Sequence, residues 1–160
     1  MVNIESTGRR QLSENDLIRL EEEIGRPLPA QYRSFLLVHN GGLPSPDIID
    51  ITGAHFRATD VQVFHGIDTP IESSDLRWNL ENVEWCKDHE LLPIARDSCG
   101  RTFILVLTPE EYGQVYYYDM EESVLIPYFV AHDFNEFLGK IRDLTPEELA
   151  DSEASITADS

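Results

Sequence analysis

The sequence predicts an α+β domain, an antiparallel sheet of about five or six strands with helices packed mainly on one side. Three observations predict it. Residues 13–40 carry apolar side chains at helical spacing, broken at Gly25, Pro27 and Pro29 and stopped at Asn40-Gly41-Gly42. From Leu92 the period falls to two, and the connections are far shorter than the dozen or so residues of a parallel crossover. A helical face then returns at Phe134, Phe137, Leu138 and Ile141.

The elements follow in order. Residues 1–12 are polar and expected to be loose. Ser13 can cap the first helix, with Asp16 three residues on beside the exposed amides. Leu17, Leu20 and Ile24 form its apolar stripe, with Ile18 and Glu21 at the margins. Gly25 suits the left-handed position that closes a helix, and Pro29 suits the first position of the next. Tyr32, Phe35, Leu36 and His39 recur at three- and four-residue spacing until Asn40 and Gly41 end the second helix. Gly41 to Gly66 reads as a long loop with one strand near residues 61–64. Leu76 to Cys86 reads as a third helix, capped by Ser73, Ser74 or Asp75.

The sheet comes next. Leu92–Arg96 and Phe103–Leu107 are strands around the turn Asp97-Ser98-Cys99-Gly100, and the unbroken apolar run of the second marks a strand covered on both faces or nearly so. After the connection Pro109–Gly113, Val115–Asp119 is a strand in which Tyr117 must point away from Tyr116 and Tyr118. Val124-Leu125-Ile126 is a further short strand, and His132 to Arg142 the last helix. One domain is expected over residues 1–144. Residues 145–160 read as an acidic tail, with Thr145-Pro146-Glu147-Glu148 able to start a short helix and the remainder disordered.

Charge is the other strong signal. Thirty acidic residues oppose 12 basic ones, for −18. The tail supplies Glu147, Glu148, Asp151, Glu153 and Asp159 without a base, which leaves 25 acids against 12 bases, or −13, on the body. Such an excess repels nucleic acid and anionic membranes and attracts a basic protein. No apolar run approaches the roughly 20 residues of a membrane span, and no secretory leader is visible, so a cytoplasmic protein is expected. Cys86 and Cys99 make neither a metal spacing nor a disulfide framework and are expected to be reduced thiols.

No catalytic constellation is legible, and no cofactor or metal is expected. His39, His55, His65, His89 and His132 are scattered, and no phosphate loop, nucleophile elbow or paired cysteine motif occurs. Asn40-Gly41-Gly42 reads as a helix stop, since no lysine or arginine follows it to hold an anion. The tyrosine run with Trp78 and Trp85 lacks the basic groove of a nucleic-acid platform, because Lys87 and Lys140 are the only lysines, and it reads as core and sheet packing. A hydrolase working through carboxylates stays open as a third, less favoured class.

Several ordered blocks resemble the SUKH superfamily, the Smi/Knr-like proteins. Glu23-Ile24-Gly25-Arg26-Pro27-Leu28-Pro29 and Tyr32-Arg33-Ser34-Phe35-Leu36 are similar to its helical hairpin, and Asn40-Gly41-Gly42 to its best-known motif. Leu92-Pro93-Ile94-Ala95-Arg96-Asp97 with Gly100 and Phe103 resembles its central hairpin. Val115-Tyr116-Tyr117-Tyr118-Asp119 resembles its following strand, although Tyr118 stands where the family often has tryptophan. Phe134-Asn135-Glu136-Phe137-Leu138 resembles its closing helix. The resemblance implies a SUKH-like α+β fold and a non-catalytic, protein-binding role. In bacteria that role is often immunity against a polymorphic or contact-dependent toxin, frequently a nuclease; other members are regulatory or scaffolding modules. It supplies no binding residues. Exposed acidic loops supply the candidates for a basic toxin domain: Asp47 and Asp50, then Asp68, Glu72 and Asp75, then Glu121 and Glu122.

Overall fold

The computed structural model describes residues 2–86, 88 and 90–158. Lys87, His89 and Asp159 lie outside the described residues. The chain runs β1 (Asn3–Glu5), α1 (Glu14–Ile24), α2 (Ala30–His39), β2 (Leu43–Ser45), β3 (Ile48–Asp50), β4 (Ala58–Asp60), β5 (Val63–Phe64) and α3 (Leu76–Asn82). It continues with β6 (Leu91–Arg96), β7 (Thr102–Val106), β8 (Val115–Glu121), β9 (Val124–Ala131), α4 (Phe134–Lys140) and α5 (Pro146–Ala158). β5 to β9 form a five-stranded antiparallel sheet in chain order. This is the α+β class the sequence predicts.

The helical hairpin closes as its residues require. Ser13 and Asp16 form a reciprocal capping box, and Gly25 ends α1 in the left-handed region at φ 80°. Glu21 then joins the two helices, accepting the Leu28 N–H at 2.8 Å and the Arg33 Nε–H at 3.0 Å. Asn40 ends α2 at φ 49° and is itself buried. Its side-chain amide donates to the carbonyls of Arg10 and Ile67, and its Oδ1 accepts the Ile67 N–H at 2.7 Å. Gly42 bridges to Phe64. The Asn-Gly-Gly segment is therefore a clamp that fastens α2 to β5.

The core lies between the helices and the sheet, and β7 is buried on both of its faces. Phe35 and Phe134 meet at 4.8 Å, Phe35 and Phe64 at 5.1 Å, and Phe103 and Phe137 at 5.3 Å. Burying each such ring stabilises the fold by roughly 1.5–3 kcal/mol, and edge-on ring pairs add about 0.5–1.5 kcal/mol. Tyr117 points into this core and donates its hydroxyl to buried Asp97. Thr59 Oγ1 and the amides of Cys99 and Arg101 also donate to Asp97, so this carboxylate pins β4 and the β6–β7 turn to β8.

Three expectations change. Residues 1–12 are not wholly loose, because β1 pairs with β2 and puts Ile4 opposite Pro44. The segment from Gly41 to Gly66 is not one long loop: β3 pairs with β4 there, opposing Ile49 to Thr59. The short strand expected at Val124–Ile126 runs on to Ala131. Smaller differences concern α3, which ends at Asn82 before a 3-10 turn at Glu84–Cys86, and its cap, which is Asp75. Where composition predicts a disordered tail, α5 continues to Ala158, with Glu148 held between Arg142 and the Thr145 amide.

Candidate protein-binding surface

The acidic residues singled out from the sequence occupy three separate places. Asp68, Glu72 and Asp75 share the approach to α3. Asp75 is the helix cap, taking the amides of Arg77, Trp78 and Asp68. Asp68 is exposed at φ 53° and pairs with Arg10 at 2.9 Å and Arg77 at 3.7 Å, while Glu72 stands exposed in a 3-10 turn. Asp47 and Asp50 flank β3. Arg142 holds Asp50 at 2.7 Å and keeps its carboxyl below the usual range. Partial burial, with Asp60 and Asp143 adding like charge, raises that of Asp47. Glu121 ends β8 and Glu122 begins the two-residue turn to β9, exposed at φ 48°. Several of these charges are thus already matched inside the molecule, and an exposed matched pair contributes little.

The turn at Glu121 adjoins a surface that the acidic loops alone do not reveal. The alternation of β8 sends Tyr117 inward and Tyr116, Tyr118 and Met120 outward. The register with β9 then sets Phe129 opposite Tyr116, Pro127 opposite Tyr118 and Leu125 opposite Met120. Tyr116 and Phe129 meet edge-on at 5.7 Å. Trp85, from the turn after α3, stacks on Tyr118 at 4.7 Å with the planes 10° apart. Met120 remains 55% exposed and Phe129 39%. A groove of about 660 Å³ runs between Trp85 and this hairpin.

The rim of the face is acidic. Glu111 takes the Tyr116 hydroxyl at 3.2 Å, Glu84 lines the groove, and Glu122 stands exposed at the hairpin tip, while Glu121 turns to the other face toward His55. Two nearby cations are engaged by the protein itself. Arg101 donates to buried Asp119 at 2.5 Å, and Lys140 bonds the Val130 carbonyl and pairs with Glu136 at 3.2 Å. The sequence reads these tyrosines as core and sheet packing and does not single out their outer face. The signal was present in the alternation Tyr116-x-Tyr118-x-Met120, but β9 beyond Pro127 is what makes it a surface.

His55, Asp119 and Glu121 bring one ligand atom each within 4.8 Å of one another. His55 Nδ1 lies 2.9 Å from Glu121 Oε1, off the hydrogen-bond axis, and the Asp119 Oδ2 oxygen has no donor. This is where a cation would find oxygen and nitrogen donors, yet Arg101 already supplies a positive charge to Asp119. The thiols offer no comparable chemistry. Cys86 is buried and its pKa is pushed up to about 12, while Cys99 is exposed in the turn after β6.

Among the described residues no helix is long and apolar enough to cross a membrane. No curated protein matches the chain. The SMI1 / KNR4 family (SUKH-1) matches residues 11–140, which takes in the helical hairpin, the Asn-Gly-Gly clamp, the whole antiparallel sheet and α4, and the chain belongs to that family.

Proposed function

We propose that this protein is an immunity protein, a cytoplasmic, non-catalytic antidote that binds a cationic toxin domain one-to-one and covers its working surface. The observation that carries the reading is the outward aromatic face of β8 and β9, rimmed by Glu84, Glu111 and Glu122. Stable protein interfaces draw most of their energy from a few desolvated aromatic anchors, while rim charges set orientation and encounter rate. A nuclease toxin must present cations to phosphate, and a carboxylate rim matches those cations. Tyr116, Tyr118, Phe129 and Trp85 would supply the anchors. A second copy of this chain is a poor occupant, because each carries −18.

The test is protection. Co-expression with the toxin encoded beside its gene should rescue growth, and the two proteins should co-purify as a one-to-one complex. Rescue without a complex, or turnover of a substrate by the pure protein, overturns the occlusion mechanism.

A further inference from the structure

Among the described residues, two half-buried arginines of this acidic molecule make no ion pair. Arg10, Arg26, Arg33, Arg77, Arg101 and Arg142 each pair with a carboxylate, and Arg19 and Arg57 stand exposed in water. Arg9 and Arg96 are half-buried and, among the described residues, pair with none. The chain between β1 and α1 lowers the Arg9 guanidinium into a slot where Nη1 donates to the carbonyls of Asn40, at 3.0 Å, and Phe64, at 3.2 Å. A Cβ at Gly41 or Gly66 would collide with that nitrogen, so the slot is shaped around the side chain. Arg96, the last residue of β6 and opposite Val63, donates Nη1 to the Ser73 carbonyl and reaches Gln62 with Nε.

These bonds leave Arg9 Nε and Nη2 and Arg96 Nη2 without a protein acceptor among the described residues. Both side chains line one cavity of about 270 Å³, which also has the apolar groups Leu43, Val63 and Ile71 on its wall. Glu5 lines the same cavity and accepts the Thr7 hydroxyl at 3.1 Å, and Asp75, which caps α3, is the carboxylate that Arg9 feels. Burial and repulsion from Arg96, offset in part by Asp75, lower the pKa of Arg9, and burial lowers that of Arg96.

We propose that this cavity binds a small phosphate monoester, its dianionic head between Arg9 and Arg96 and its apolar body against Leu43, Val63 and Ile71. Two guanidiniums match two negative charges, planar N–H forks suit phosphate oxygens, and the volume leaves room beyond the phosphate itself. The site lies apart from the β8–β9 face and does not depend on the toxin-binding reading.

Isotope-edited NMR and calorimetry with phenyl phosphate, inorganic phosphate and benzoate test it. Phenyl phosphate should bind in a one-to-one ratio, shift the Arg9 and Arg96 Nε–H signals and the Ile71 methyls, and bind at least tenfold tighter than the other two. Arg96→Gln, whose Nε2 stands where the Arg96 Nε faces Gln62, should abolish binding in a protein whose spectrum stays folded. Arg9→Lys is the second variant and should weaken binding while retaining the charge. No binding of phenyl phosphate, shifts confined elsewhere, benzoate binding as tightly, or undiminished binding by folded Arg96→Gln each overturns the proposal.

Discussion

Gly25 and Gly41 both take left-handed backbone, at φ 80° and φ 72°, but their surroundings differ. A Cβ on Gly25 meets open space, whereas one on Gly41 would drive into the carbonyls of Phe64 and His65. Gly25→Ala should therefore cost only the backbone term, about 1–2 kcal/mol. Gly41→Ala should add overpacking of about 1–3 kcal/mol, read as the difference between the two urea midpoints at constant m-value. His65 supplies a second residue-scale prediction. It is buried, donates Nδ1–H to the Pro93 carbonyl at 2.9 Å, and among the described residues has no partner at Nε2. Burial, opposed only in part by that hydrogen bond, pushes its pKa down to about 4 from 6.5, with Arg9 and Arg96 adding repulsion. The unfolded chain then binds the extra proton first as pH falls. The contribution is complete above pH 6.5 and disappears progressively toward pH 4, amounting to about 3 kcal/mol. His65→Gln should flatten the stability profile across that window.

At the scale of elements, what could be read in advance was what the chain settles locally. The ends of α1 and α2 were legible because Gly25 and Asn40 fix them by their own backbone. β1, β2, β3 and β4 were not, since each has three residues and owes its existence to a partner elsewhere; Ile48 even bridges to Arg142. β9 outruns the three residues Val124–Ile126 that read as a strand, because Pro127 argues against a strand unless the strand lies at an edge, as β9 does. The same limit applied to the acidic candidates. Nothing near Asp50 announces Arg142, 92 residues on, and nothing near Asp68 announces Arg10, 58 residues back. Exposure could be guessed from sequence, but whether a charge is matched could not. The link from α5 to the domain is of this kind, since Arg142 grips both Asp50 and Glu148. Deleting residues 146–160 should lower the thermal midpoint slightly, with Asp50 retaining Arg142. A collapse of the transition would mean that α5 belongs to the cooperative core.

For the whole molecule, net charge and the aromatic face have separable effects on the proposed complex. The −18 charge acts at a distance and should govern encounter, with association slowing as salt shortens a screening length of about 10 Å at 0.1 M. Neutralising Glu111 and Glu122 should slow association and change stability little. Phe129→Ala and Tyr116→Ala should instead speed dissociation tenfold or more, at nearly unchanged association rate. Stopped-flow binding over a salt series distinguishes the two. If Phe129→Ala altered only the salt slope, the face would not be the core of the interface.

The strand that makes the face also exposes a hazard. β9 is eight residues long and lies at the border of the sheet, where its backbone can template a strand from another chain. Pro127, the residue that disguises the strand in the sequence, offers no N–H to such a neighbour. Pro127→Val would restore an unbroken row of donors and acceptors along the border. The variant should fold, yet light scattering should find it associating with rising protein concentration, most of all at high salt where charge no longer keeps the copies apart. The proline that hides a strand from the reader also hides it from other molecules.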